Sequence, residues 1–96
     1  MMGIMINKYD IRTLIEKAHK MTSSNGWKKD WKNGGCYLFL ECAEFVESLR
    51  GKGNEFEESA DVLIAFLSMI KENNIDVDTI ISYFFTKTSN YTKNED

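Results

Sequence analysis

Two stretches of the chain decide its fold: LECAEFVESL at residues 40–49 and FEESADVL at residues 56–63. Apolar residues recur in both stretches at helical spacing, and each stretch also holds two acidic residues three positions apart. The acidic pairs are Glu41 with Glu44, and Glu58 with Asp61. On a helix this spacing places both carboxylates of a pair on one face, about 60° apart around the axis. If the two helices pack together, we expect the four carboxylates to converge.

Converging carboxylates indicate a metal site. Like charges at close range repel and raise one another's pKa values, so such a group is unfavourable without a cation. Mg²⁺ takes oxygen ligands, and carboxylates supply both the oxygens and the negative charge. Both pairs therefore predict a magnesium site on two neighbouring helices. The alternative is an exposed acidic rim on two amphipathic helices.

The remaining sequence predicts an all-α fold, a small bundle of about four helices. The chain contains no proline, which fits long helices with short connections. Apolar periodicity and turn residues place the helices at residues 8 or 10 to 21, 36 to 50, 56 to 73, and from 76 or 78 onward. Asp10 is expected to cap the first helix, and Asn25-Gly26 to end it in a left-handed turn. The second and third helices are expected to form a central antiparallel hairpin.

Helical geometry also predicts which faces of the hairpin helices are buried. In the second helix the apolar residues fall in one arc, and Glu41 lies just outside it. That arc contains Leu38, Phe39, Cys42, Phe45, Val46 and Leu49. The third helix has an equivalent arc, made of Phe56, Val62, Leu63, Phe66, Leu67, Met69 and Ile70. Each acidic pair therefore stands in the same angular relation to its apolar face. In the fourth helix the apolar residues are Val77, Ile80, Ile81, Phe84 and Phe85.

Length, charge and composition limit the classes of protein to which the chain can belong. With 96 residues, residues 1–96 are expected to form one domain, which is small enough to gain stability from oligomerisation. The net charge of −3 provides no basic footprint for nucleic acid. The opening residues lack the basic start of a signal peptide, and no apolar run is long enough to span a bilayer. We therefore expect a soluble, cytoplasmic protein whose Cys36 and Cys42 are reduced, buried or half-buried thiols.

The acidic motifs resemble the signature of the MazG-like, all-α nucleotide pyrophosphohydrolase superfamily. That signature reads ExxE, a short gap and ExxD on two hairpin helices. Here ExxE is residues 41–44 and ExxD is residues 58–61, with thirteen residues between them. EESADVL at residues 57–63 is similar to the family's Glu-Glu-Leu-Ala-Asp-Val-Leu motif. Asn25-Gly26-Trp27 resembles a Gly-Trp element of small phage and bacterial relatives.

KTSN at residues 87–90 looks like the family's late Lys-x-x-Asn motif, whose side chains reach the substrate phosphates. The family usually continues to an arginine three residues after the asparagine, where this chain has Lys93. Lysine keeps the charge but not the bidentate phosphate contact. The resemblance thus assigns phosphate binding to Lys87 and Asn90, with the arginine contact weakened.

The resemblance implies hydrolysis of a nucleoside triphosphate to the monophosphate and pyrophosphate, as in house-cleaning of the nucleotide pool. Deoxynucleotides are the expected substrates. The cofactor would be Mg²⁺, with Mn²⁺ as a substitute, and the assembly a homodimer or homotetramer. The implied metal ligands are Glu41, Glu44, Glu58 and Asp61. Glu41 or Glu44 would also orient or deprotonate the attacking water, and Trp27 is a candidate to stack on the base.

Other interpretations of these residues remain open. Lys87 can be a solvated lysine near a helix end, Asn90 a helix cap, and Trp27 a core or subunit-interface residue. Within the superfamily, the enzyme can be selective for dUTP or dCTP, or act on phosphoribosyl-ATP. Outside it, the chain can be a non-catalytic helical module that binds a partner or regulates one, with solvated acidic pairs.

Overall fold

The computed structural model describes residues 10–27 and 34–92, which form four α-helices and no strand. The helices are α1 (Ile11–Ser24), α2 (Gly34–Leu49), α3 (Glu55–Glu72) and α4 (Val77–Tyr91). The prediction of an all-α fold with four helices is confirmed. Lys93 and the side chain of Cys36 lie outside the described residues. No helix in the described ranges is long and apolar enough to cross a membrane.

Short polar side chains start three of the helices. Asp10 accepts a hydrogen bond from the Arg12 amide at 2.8 Å, and this confirms its predicted role as the cap of α1. Asn54 and Asp76 cap α3 and α4 in the same way. Gly26 follows α1 with φ of 71°, a left-handed conformation that favours glycine. The largest boundary difference is at the end of α1, which continues to Ser24 rather than ending at residue 21.

The α3 helix is the centre of the fold, because both α1 and α2 pack along it. Residues 50–54 connect α2 to α3, and this short connection makes the two helices an antiparallel hairpin, as predicted. On its other side α3 meets α1 in a small core of four buried residues. The core consists of Ile15, Ala18, Leu67 and Ile70, with Val77 and Ile80 of α4 packed against it. No side chain of α4 (Val77–Tyr91) is fully buried, and Val77 and Ile80 are only partly buried.

The buried face of α2 differs from the predicted apolar arc. Phe39 is 77% exposed and Val46 and Leu49 are also exposed, whereas Glu41 is only 7% exposed and Ser48 is buried. The buried arc is therefore centred on Glu41, about 90° from the predicted one. The reason is that α3 is the helix that covers α2 in the described chain, and it covers the side that carries the carboxylates.

Further apolar residues that were expected in the core are exposed, on both α3 and α4. On α3, Phe56 is 80% exposed, and Leu63 and Phe66 are also exposed, because they lie between the sides covered by α1 and α2. On α4, Phe84 and Phe85 are exposed and contact each other edge to face, with ring centroids 5.6 Å apart. The Cys42 thiol, expected to be buried or half-buried, is likewise exposed.

The junction of α1, α3 and α4 provides a test of this packing. Ile70 is 4% exposed in the core, so Ile70→Ala should lower the free energy of unfolding by about 2–4 kcal/mol. Ile75→Ala is the matched control, because Ile75 is 51% exposed and should lose less than about 1 kcal/mol. Urea denaturation followed by circular dichroism measures both. Equal losses in the two variants would contradict the assigned core.

Candidate metal centre

The hairpin brings three carboxylates together. One carboxylate oxygen from each of Glu41, Glu44 and Glu58 lies within 4.8 Å of the other two. Glu41 is buried, Glu58 is half-buried and Glu44 is exposed, so the cluster is closed on the Glu41 side and open to solvent on the Glu44 side. The packing of α2 against α3 thus produces the convergence that the two acidic pairs predicted.

The fourth predicted ligand, Asp61, lies beside this cluster. It is not one of the three residues whose oxygens share the 4.8 Å group, but it is one turn after Glu58 on α3. Its negative charge contributes to raising the pKa values of both Glu41 and Glu58. Asp61 therefore acts on the cluster through its charge, although its carboxylate is not one of the three that converge.

Two oxygens of the cluster are buried without a partner. Glu41 Oε1 and Glu58 Oε1 have no solvent contact and no hydrogen bond within the described part of the chain. An ionised carboxylate only accepts hydrogen bonds, and leaving such an acceptor buried and unpaired is unfavourable. A divalent cation with oxygen ligands would satisfy both atoms, and the open Glu44 side leaves room for water and substrate oxygens. The residues present therefore fit Mg²⁺.

The environment raises the pKa values of Glu41 and Glu58. For Glu41 the main cause is burial, followed by the charge of Glu44, a hydrogen bond with Glu44 and the charge of Asp61. A hydrogen bond from Tyr37 opposes these effects and lowers the pKa of Glu41. For Glu58 the causes are burial and then the charges of Glu44, Asp61 and Glu57. Without metal, Glu41 and Glu58 therefore retain protons above the pH at which a solvated glutamate loses its own.

Tyr37 is a site residue that the sequence motifs did not reveal. It lies one turn before Glu41 on α2, and its hydroxyl donates a hydrogen bond to the Glu41 carboxylate. Burial, and then the negative charge of Glu41, raise the pKa of Tyr37 to about 12. The signal in the sequence was the spacing of four between the tyrosine and the first acid of ExxE, which places both on one helix face.

Of the three predicted substrate-binding residues, Trp27 contacts a residue of the site, whereas Lys87 and Asn90 make no bond to the acids in the described part of the chain. Trp27 is 44% exposed, and its ring centroid lies 6.2 Å from that of Tyr37 with the planes tilted by 45°. Lys87 and Asn90 are exposed on the second half of α4. In residues 10–27 and 34–92, no hydrogen bond or ion pair joins either of them to the four acids. Asn90 is also not the helix cap, because α4 continues to Tyr91 and is capped by Thr92.

Comparisons with protein-family models, with curated proteins and with solved structures found no match.

The raised pKa values predict how stability depends on pH when chelator removes all metal. Glu41 and Glu58 hold protons more tightly in the folded state than in the unfolded state, so unfolding releases protons. Their contribution to stability is therefore greatest at low pH, and is lost as the pH rises from the ordinary glutamate value of 4.5 through their raised values. We expect the melting temperature of the metal-free protein to rise as the pH is lowered through these raised pKa values toward 4.5.

The double variant Glu41→Gln/Glu58→Gln is the control, because it removes both titrations and keeps all other ionisable groups. Its melting temperature should respond less to acidification, and the difference between the two proteins isolates the cluster. Identical pH profiles in EDTA would contradict the assigned coupling among these acids.

Proposed function

We propose that this chain is a Mg²⁺-dependent nucleoside triphosphate pyrophosphohydrolase of the MazG-like kind, which cleaves a (d)NTP to the (d)NMP and pyrophosphate. The observation that carries the proposal is the buried carboxylate of Glu41, whose Oε1 has no partner among the described residues and belongs to a cluster from two helices. Burying the ionised form of such a group is unfavourable unless a cation or a proton neutralises its charge, and a bound cation would also give Oε1 a partner. The ExxE and ExxD motifs that supply this cluster are the residues that resemble the superfamily's signature.

The positions of the carboxylates favour distinct roles. Bound Mg²⁺ would supply Lewis-acid charge against the phosphoryl oxygens and hold the substrate in place. Glu41, which is buried, and Glu58, whose Oε1 is buried, would serve as ligands, with Asp61 completing the set. Glu44 faces the open side, where it can accept the proton of a water that attacks the α-phosphorus. The bond from that phosphorus to the bridging oxygen then breaks, and pyrophosphate leaves.

The substrate would extend outward from the cluster. Trp27 presents a partly exposed aromatic ring beside Tyr37, which suits stacking on a nucleotide base. Lys87 and Asn90 would contact the phosphates, but both are exposed on α4, and no hydrogen bond or ion pair joins them to the carboxylates within the described residues. We therefore expect these contacts to require a second copy of the chain. Deoxynucleotides are the proposed substrates, in a house-cleaning role in the cytoplasm.

An exposed apolar surface on the hairpin supports a homodimer or homotetramer. Helical geometry places the exposed apolar residues of α2 and α3 on the same side of the antiparallel hairpin. This hairpin face consists of Phe39, Val46 and Leu49 on α2, with Phe56, Leu63 and Phe66 on α3. Its three phenylalanines alone present about 400 Å² of aromatic surface, as much as the largest apolar patch of many monomers. A second copy would cover this face.

The test of the activity is pyrophosphate release from a panel of NTPs and dNTPs, including dUTP and dCTP, in the presence of Mg²⁺. Glu44→Gln and Asp61→Asn should each lower turnover more than about 100-fold, since even changing the partners of metal ligands costs 10–100-fold. Glu47→Gln is the matched control, because Glu47 pairs with Arg50 at 3.0 Å on the surface of α2. Its turnover should match that of the wild type.

The outcome of this panel also separates the proposed enzyme from the non-catalytic module. A folded wild type that releases no pyrophosphate from any nucleotide would favour a helical module that binds a partner. Turnover that survives in Glu44→Gln and Asp61→Asn would place the chemistry elsewhere. A strong preference for dUTP or dCTP would identify the more selective enzyme.

The oligomer is tested by light scattering after size exclusion. The wild type should have a molar mass of two or four times the 11.1 kDa of one chain. Phe39→Glu/Phe56→Glu places two charges on the hairpin face and should shift the protein toward the mass of one chain, because an interface disfavours unpaired charges. Leu40→Glu is the control, since Leu40 is exposed on the opposite side of α2. A wild type that stays at 11.1 kDa at high concentration would contradict the proposal.

A further inference from the structure

Tyr37 contacts the acidic cluster without being one of its acids. It is half-buried one turn before Glu41, and its hydroxyl donates a hydrogen bond to the Glu41 carboxylate. Because Oε1 of Glu41 is buried without a hydrogen-bond partner, we assign the bond from the hydroxyl to the other oxygen, Oε2. The two oxygens of Glu41 are thus inequivalent: one is held by the protein and the other is buried with no partner.

We propose that Tyr37 is a positioning residue for Glu41, whose hydroxyl holds Oε2 and so directs Oε1 toward the place where a divalent cation binds. The inference rests on the proposed function only in taking the acidic cluster as a cation site. It adds a residue outside the ExxE and ExxD motifs and gives it a separate, testable task. Tyr37 itself coordinates nothing, because its effect reaches the cation through Glu41.

The surroundings of Tyr37 make it suitable for this task. A glutamate has three rotatable bonds, so its carboxylate loses orientational freedom when a hydrogen bond holds one oxygen. The tyrosine ring is itself restricted, because Trp27 packs against it with ring centroids 6.2 Å apart. Trp27 follows α1, whereas Tyr37 is on α2, so this contact links the end of α1 to the cluster. A second residue that orients a metal ligand in this way typically changes metal affinity 10–100-fold.

Tyr37→Phe tests the hydroxyl alone, because phenylalanine keeps the ring beside Trp27 and removes only the donor. The probe is Mn²⁺ without nucleotide, with the free ion counted by electron paramagnetic resonance, and Mg²⁺ binding measured by calorimetry. We expect the dissociation constant for either ion to rise about tenfold. Tyr83→Phe is the matched control, since Tyr83 is exposed on α4, and its metal binding should equal that of the wild type.

Three further measurements separate the hydroxyl from general packing. Tyr37→Leu removes the ring as well, and should weaken binding at least as much as Tyr37→Phe. Trp27→Leu removes the ring that packs on Tyr37 and should weaken binding to a smaller degree, which provides a second test if a Tyr37 variant fails to fold. In the turnover assay, Tyr37→Phe should raise the Mg²⁺ concentration for half-maximal rate, while the KM for nucleotide at saturating Mg²⁺ stays near the wild-type value.

The outcomes distinguish this inference from the proposed function. One outcome is that Tyr37→Phe binds metal more weakly than the wild type, while the wild type hydrolyses no nucleotide. That outcome would support the positioning role and reject the pyrophosphohydrolase. Turnover with unchanged metal dependence in Tyr37→Phe would reject the positioning role and leave the enzyme intact. Weakening only in Tyr37→Leu would assign the effect to ring packing and overturn the proposal. A wild type that binds neither ion would overturn it together with the metal site.

Discussion

The interaction on which the rest of the structure depends is the contact between the acidic sides of α2 and α3. Most helical hairpins bury apolar residues where their helices meet, but here Glu41 takes a central position in that contact and two carboxylate oxygens are left unpaired. The repulsion among these acids is a cost that the small core between α1 and α3 must offset when no cation is present. The contact between the two hairpin helices therefore contains acidic groups that a purely apolar helix contact would lack.

This arrangement explains where sequence reasoning succeeded. Helix starts depend on local chemistry, since a short polar side chain accepts bonds from the next free amides, so Asp10 was recognisable as a cap. The convergence of Glu41, Glu44 and Glu58 follows from two i, i+3 pairs placed close to one short connection. Both features are determined within a few residues, and neither requires knowledge of distant packing.

The prediction of which face of α2 is buried was wrong, and the reason is physical. An apolar arc predicts that a face avoids water, but it does not say which surface covers it. In one chain, α3 covers the Glu41 side, and the arc containing Phe39 and Val46 is left exposed. Tyr37 was missed because its importance comes from a hydrogen bond to one acid and a ring contact with Trp27, which no single motif encodes.

The short connection between α2 and α3 has a consequence for the order in which the protein folds. All four acids lie within residues 41–61, on two helices joined by residues 50–54. Their contacts are local in sequence, so closing the loop that brings them together carries a small entropy cost. Local contacts of this kind form early, before segments that are distant in sequence dock. A cation would thus meet its ligands in the isolated hairpin, and its concentration would influence the rate of folding as well as the final stability.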